Sequence, residues 1–383
     1  MAEKRVFGRA IESLDRQLAA TADVRGQRQL RVQKAGVLAR LGRTADSKQL
    51  VVQLRQENQA YEPRLSAWIM YTEGLIEHFE SLDVPAARDR FRRAYAVAIA
   101  AGDQELRAIC AAWMADSDFR LANIESSIGH LKQAFLTSSA GSHEARGRSC
   151  LVLADLMSWA GLHDQAKSWY RRARDHAIAL GEIGMQSVVL FNSVSFRVAA
   201  LVLQDCFSSV QANVTSALQR EVTSVANLDT GLGISTLATM VPALQAELCT
   251  VQLRWSEAIV LFDGFLGSLD ADGQGRLSAK FLAQRAWCMA NLGRQDAAEE
   301  SAKGALTSIE DCPDLDDLAV VYARLAATFA ALGKGAEASA HTAIADRCLS
   351  AYRDSQRQLQ SAIREVLVPI QGHEEENPAA GRV

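Results

Sequence analysis

The sequence is short of residues that break helices and of patterns that mark chemistry. Only 6 prolines occur in 383 residues. A chain this poor in proline and β-branched runs, and this rich in alanine and leucine, favours helix throughout. No stretch approaches 18 uninterrupted apolar residues, and the richest run, 198–203, is far too short to span a bilayer. The start, Met1-Ala2-Glu3-Lys4-Arg5, leads into an amphipathic pattern at Ile11, Leu14 and Leu18, not into the apolar core of a signal peptide. These absences predict a cytoplasmic chain with no membrane partner. Charge of one sign is also lacking: 41 basic residues against 45 acidic ones leave −4, which exerts no global pull on nucleic acid.

The seven cysteines, Cys110, Cys150, Cys206, Cys249, Cys288, Cys312 and Cys348, form no C-x-x-C pair. Their scatter argues against zinc, and they are expected to be reduced and buried as small apolar residues. No H-E-x-x-H, G-x-S-x-G or phosphate-loop signature occurs. Among His78, His130, His143, His163, His176, His341 and His373, no two share the i, i+4 spacing of a helical metal site. The chain is therefore expected not to be an enzyme and to need no cofactor or metal. One partial match, Asp270-Ala271-Asp272-Gly273-Gln274-Gly275, resembles the start of a calcium loop. Phe281 stands where the bidentate glutamate belongs, so a polar connecting loop is the expectation.

What is present is a repeat. Segments 153–177 (LADLMSWAGLHDQAKSWYRRARDHA), 285–309 (RAWCMANLGRQDAAEESAKGALTSI) and 325–349 (LAATFAALGKGAEASAHTAIADRCL) each read helix, glycine, short turn, helix. Small residues recur at fixed offsets: Ala154, Ala166 and Ala173 around Gly161; Ala286, Ala298 and Ala305 around Gly293; Ala326, Ala338 and Ala345 around Gly333. Antiparallel helices need small side chains where they cross, and the glycine supplies the left-handed residue that ends the first helix. Weaker copies place Ala35, Ser47 and Leu54 around Gly42, and Ala115, Ser127 and Ala134 with the turn near Asn123. Others place Ala246, Ala258 and Phe265 around Arg254, and Ala87, Phe91 and Ala94 behind a first helix shifted near Gly74. A unit at about 183–227 has lost the pattern and, with a connection at 223–234, predicts a local irregularity.

Over roughly 27–350 this pattern resembles the tetratricopeptide repeat family, in a long-period form similar to bacterial regulatory and sensory proteins. The resemblance implies an all-α, right-handed α-solenoid of about eight helix-turn-helix repeats with N- and C-terminal capping helices. The expected organisation is a capping helix at 1–24, repeats over 25–333, a long helix over 334–368 and a disordered acidic tail at 369–383. Leu349, Tyr352, Leu359, Ile363 and Val366 form a heptad-like stripe on that long helix. It either folds back to cap the last repeat or joins two copies as a homodimer. Pro369 is expected to end the helix and leave Ile370 outside it.

The resemblance further implies that another protein or a peptide binds the inner surface built from the first helix of each repeat. By repeat register the candidate contacts are Trp113, Asp116, Asp155, Trp159, Asn192, Arg197, Trp287 and Asn291. Arginine clusters at Arg88, Arg90, Arg92 and Arg93, and at Arg171, Arg172 and Arg174, fall on second helices, where ion pairs such as Asp89–Arg93 are expected. They lack the interleaved aromatics of a single-strand groove. No output domain accompanies the repeats. The leading expectation is thus a non-catalytic scaffold or adaptor for a separate effector. A peptide- or small-ligand-responsive sensor is the alternative, and an RNA-binding repeat protein a distant third.

Overall fold

The computed structural model describes residues 9–210, 212–232, 240–270 and 273–376, and among these forms seventeen α-helices and no strand. They are α1 (Arg9–Ala20), α2 (Val24–Arg40), α3 (Thr44–Glu57), α4 (Pro63–Ile76), α5 (Val84–Ala100), α6 (Gln104–Arg120), α7 (Ile124–Thr137), α8 (His143–Trp159) and α9 (His163–Leu180). There follow α10 (Ile183–Phe207), α11 (Ala212–Leu232), α12 (Met240–Val251), α13 (Trp255–Phe265), α14 (Ser278–Asn291), α15 (Gln295–Thr307), α16 (Leu315–Ala331) and α17 (Gly335–Glu376). After α1 they fall into eight consecutive pairs, α2/α3 through α16/α17, in a tetratricopeptide-type helical-repeat fold.

The repeat works as the small residues imply. Ala35, Ser47, Leu54, Ala115, Ala134, Ala154, Ala173, Ala246, Ala258, Ala286, Ala298 and Ala305 are all fully buried. Where serine replaces alanine in the second helix, its hydroxyl bonds back to the first: Ser47 Oγ donates to Ala35 O and Ser127 Oγ to Ala115 O, both at 2.8 Å. First helices end in a repeated six-to-one bond, such as Leu162 N to Met157 O at 2.8 Å and Arg294 N to Met289 O at 3.0 Å. The residue that makes this turn is left-handed: Gly161 has φ 79° and Gly293 φ 70°. In the degenerate copies it is Ala122 (φ 57°), beside Asn123, and Leu253 (φ 61°), beside Arg254.

Gly74 lies inside the first helix α4, as the shifted register expects, and a Cβ there would come within 2.6 Å of the Phe91 ring, so glycine lets α5 approach. The turn comes later, through a π turn at Glu77–Ser81 and Leu82 at φ 53°. Two expectations are corrected. The 223–234 stretch is not a connection as far as Leu232: it belongs to α11, with Val222 and Val225 fully buried, and 233–239 lie outside the described residues. Finally, α17 does not stop at Pro369 but runs to Glu376 with Ile370 inside it, at 1% exposure. Proline removes one helical donor, yet Ile363 and Val366 before it and Ile370 after it are buried in one apolar cluster, which holds the helix across the gap. The expected tail beyond 376 lies outside the described residues.

The chain divides into two compact units, 1–190 with 359–383, and 191–358. Unit 1 packs Trp68, Tyr71, Phe91 and Trp113 in one core and Leu151, Met157, Trp169 and Tyr170 in another. The second core includes Leu359, Ile363, Val366 and Ile370, and Gln360 Nε2 donates to Ala160 O at 2.8 Å. The part of the stripe from Leu359 onward is therefore buried with the α8/α9 pair of this chain. Unit 2 packs Phe262, Phe265 and Phe281 around α12–α14, and Ala283, Val321, Leu325 and Phe329 around α14–α16. Leu349 and Tyr352 are buried there.

By length and composition alone α10 is long and apolar enough to cross a membrane, although polar residues interrupt its apolar run. Its charged residues are tied to neighbouring helices instead: Arg197 to Glu221 of α11 and Asp205 to Arg324 of α16, both at 2.5 Å.

Candidate functional site

The inner-helix positions named by the repeat register divide sharply. Asp155 is buried and accepts from the Tyr170 hydroxyl at 2.8 Å, so it braces its own repeat. Trp159 is half-buried against the core that takes up α17. Arg197 is half-buried in its pair with Glu221, and the Asn192 carbonyl accepts from Ser195 at 3.2 Å. Trp287 meets Trp255 edge-on at 5.9 Å, and the exposed Asn291 donates its amide to Trp287 O. Trp113 and Asp116 alone are brought into a shared polar cluster.

That cluster reveals a rule the sequence reading missed. Asp116 and Glu247 each stand one residue after the key alanine of a first helix, Ala115 and Ala246. Arg148 and Lys280 each stand six residues before the key alanine of the next, Ala154 and Ala286. The structure pairs them: Arg148 Nη1 lies 3.5 Å from Asp116 Oδ1, and Lys280 Nζ 3.2 Å from Glu247 Oε1. The same acid-to-base link thus joins successive first helices in both units. A charge inside an otherwise apolar helix was the available signal.

In unit 2 the link grows into a network over α12, α14 and α16. Lys280 also reaches Asp317 Oδ1 at 3.0 Å, and Gln284 Nε2 donates to Glu247 Oε1 at 3.1 Å. Burial alone would lower the Lys280 ammonium, but Asp317 and Glu247 outweigh it and hold the proton well above the usual range. Asp316 is pushed up to about 7 by burial and by Asp317 and Asp314. One base among Glu247, Asp316 and Asp317 leaves an acidic excess, and both Gln284 Oε1 and Asp316 Oδ1 are buried with no hydrogen-bond partner.

In unit 1 a second network joins α2, α4, α8 and the start of α10. Arg40 of α2 grips Glu182, just before α10, through Nε at 3.0 Å and Nη2 at 2.5 Å. It also reaches Glu144 at 2.5 Å and the Tyr71 hydroxyl at 3.1 Å, and Tyr71 donates to Glu144. Burial pushes the Glu144 carboxyl up despite Arg40.

On the second helices the arginines are spent in ion pairs: Arg93–Asp89 at 2.7 Å, Arg88–Asp118 at 2.5 Å and Arg90–Glu73 at 3.2 Å, while Arg172 stacks over Trp169 at 4.5 Å. Phe281, at the last place of the calcium-like loop, is buried in the core and offers no ligand atom; 271–272 lie outside the described residues.

No family model matches the chain, and no curated protein matches it by sequence. Among solved structures, one described as "Crystal Structure of Rap Protein Complexed with Competence and Sporulation Factor" is similar to it, with a TM-score of 0.59 and 14% identity. The alignment covers 93% of this chain and 95% of that one. At this identity the likeness is one of fold.

Proposed function

We propose that this chain is a non-catalytic regulatory repeat protein of the cytoplasm that binds a short peptide or protein segment on the first-helix faces of unit 2. The observation that carries the reading is the buried network of Glu247, Lys280, Gln284, Asp316 and Asp317 on α12, α14 and α16. Its acidic excess suits a cationic side chain or an amino terminus, and the free Gln284 carbonyl suits a main-chain N–H. The similar Rap structure, which aligns with nearly the whole chain and is described as complexed with a factor, supports regulation by a ligand over passive scaffolding. Repeat faces that read extended segments fit the same architecture.

The test uses the full chain and a pool of randomised short peptides. Enrichment of Lys, Arg or free amino-terminal peptides is expected, with binding about tenfold weaker in Asp316→Asn, which removes a charge without unpairing Lys280. A pool recovered without cationic bias, or one indifferent to Asp316→Asn, would defeat the reading.

A further inference from the structure

The repeated acid-to-base link is complete in one unit and incomplete in the other. In unit 2 the base has two carboxylates, Glu247 and Asp317. In unit 1 Arg148 has Asp116 alone, at a long 3.5 Å, and Asp116 already answers Arg120 Nε at 3.2 Å. Two cations, Arg148 in the interior and the half-exposed Arg120, share one carboxylate and leave an excess of one positive charge.

Three donors around this pair lack partners, and one acceptor, Asp116 Oδ2, has only the ion pair with Arg120 and no hydrogen bond. Arg148 lies over the Trp113 ring at 3.8 Å, and His78 meets that ring edge-on at 5.0 Å. His78, Trp113 and Arg148 are each less than 10% exposed, and among the described residues His78 Nδ1, Trp113 Nε1 and Arg148 Nε are buried with no hydrogen-bond partner. Burial and the nearby Arg120 push His78 down to about 3, so it stays neutral and holds one ring proton to offer. A buried donor left without an acceptor loses its hydration and gains nothing in exchange, so three in one knot call for an acceptor.

His78 sits on the π-helical segment Glu77–Ser81 that continues α4. Such segments widen one step of a helix and recur where a helix serves a site.

We propose that this knot is a carboxylate-binding site in unit 1. A monoanionic carboxylate supplied from outside takes the place that Asp317 fills beside Lys280. It accepts from Trp113 Nε1, Arg148 Nε and the Nδ1–H form of His78, and neutralises the surplus charge. Its source is either a free small carboxylate or the carboxyl terminus of a peptide. The site is independent of the peptide surface proposed for unit 2.

The experiment titrates the ¹⁵N-labelled full chain and follows its tryptophan Nε1–H resonances, Trp113 being identified by its loss in Trp113→Phe. Sodium acetate, acetamide, N-acetyl-Gly-Gly and N-acetyl-Gly-Gly-amide are added at constant ionic strength. A saturable shift of the Trp113 resonance with the carboxylates and not with the amides is expected. A response to acetate identifies a free carboxylate as sufficient, and a response to the dipeptide acid alone identifies a chain terminus. Thermal shift by the responding acid should fall at least about fivefold in Trp113→Phe, which keeps the stack but removes the donor. Arg148→Lys, which keeps the charge but removes Nε–H, should do the same. An unmoved Trp113 resonance, equal response to the amides, or full response in both variants overturns the proposal.

Discussion

Lys280→Met tests whether the unit 2 network is held by charge balance. The ammonium sits 3.2 Å from Glu247 and 3.0 Å from Asp317, so the two carboxylates lie at most 6.2 Å apart, the sum of those distances. Without the lysine they repel by at least about 2.7 kcal/mol at an effective dielectric near 20. Breaking a buried pair in this way typically costs about 3–5 kcal/mol. For a unit of this size that lowers the melting temperature by roughly 6–20 °C. The deficit should shrink between pH 7.5 and pH 5, because an unpaired buried carboxylate escapes its penalty by taking up a proton. Adding Glu247→Gln and Asp317→Asn to the same chain should recover most of the loss at pH 7.5. Calorimetry of the three proteins at both pH values decides it. A loss below about 1 kcal/mol, or one that does not narrow with acid, would refute the argument that these charges are buried together and depend on one base.

Leu253 sits left-handed at φ 61° and largely exposed, so Leu253→Gly should stabilise by roughly 0.5–1 kcal/mol, while Gly293→Ala at φ 70° should cost about 1 kcal/mol; urea melts compare the two. Ile363 is 1% exposed in the core of unit 1, and Ile363→Ala should cost about 2–5 kcal/mol by the same assay. Asp316 titrates near 7 in the folded chain against roughly 3.9 unfolded, so the folded state holds more protons between those values and stability falls as pH rises through them. Asp316→Asn should lose that slope and gain on the natural protein from pH 4.5 to 7.5, read from urea midpoints at three pH values.

The architecture was legible because its constraints are local. A left-handed glycine and small residues at a helix crossing, such as Gly161 with Ala154 and Ala166, leave their mark on adjacent residues. The degenerate turns at Leu82, Ala122 and Leu253 were only approximated or missed because a non-glycine residue bears the same conformation without announcing it. The polar networks were mostly illegible. Asp116 and Trp113 were found by register, but their partner Arg148 comes from the next first helix and His78 from the π segment after α4, and a charge in an apolar run reads as a solvated position until the next repeat is laid beside it. Pro369 misled for a related reason: a local rule against continuing the helix lost to long-range burial of Ile363, Val366 and Ile370.

The return of α17 into the core of unit 1 bears on how the protein is made. A ribosome delivers α8 and α9 long before Leu359, with all of 191–358 translated in between. At about 5–20 residues per second, the flank that Leu359, Ile363, Val366 and Ile370 will cover stays open for roughly ten to thirty seconds on each new chain. The first half can therefore build its helices early but cannot finish folding early. During that interval Trp159, Leu162 and Met157 present an apolar face to the crowded cell, and any holding factor that meets the nascent chain has its foothold there.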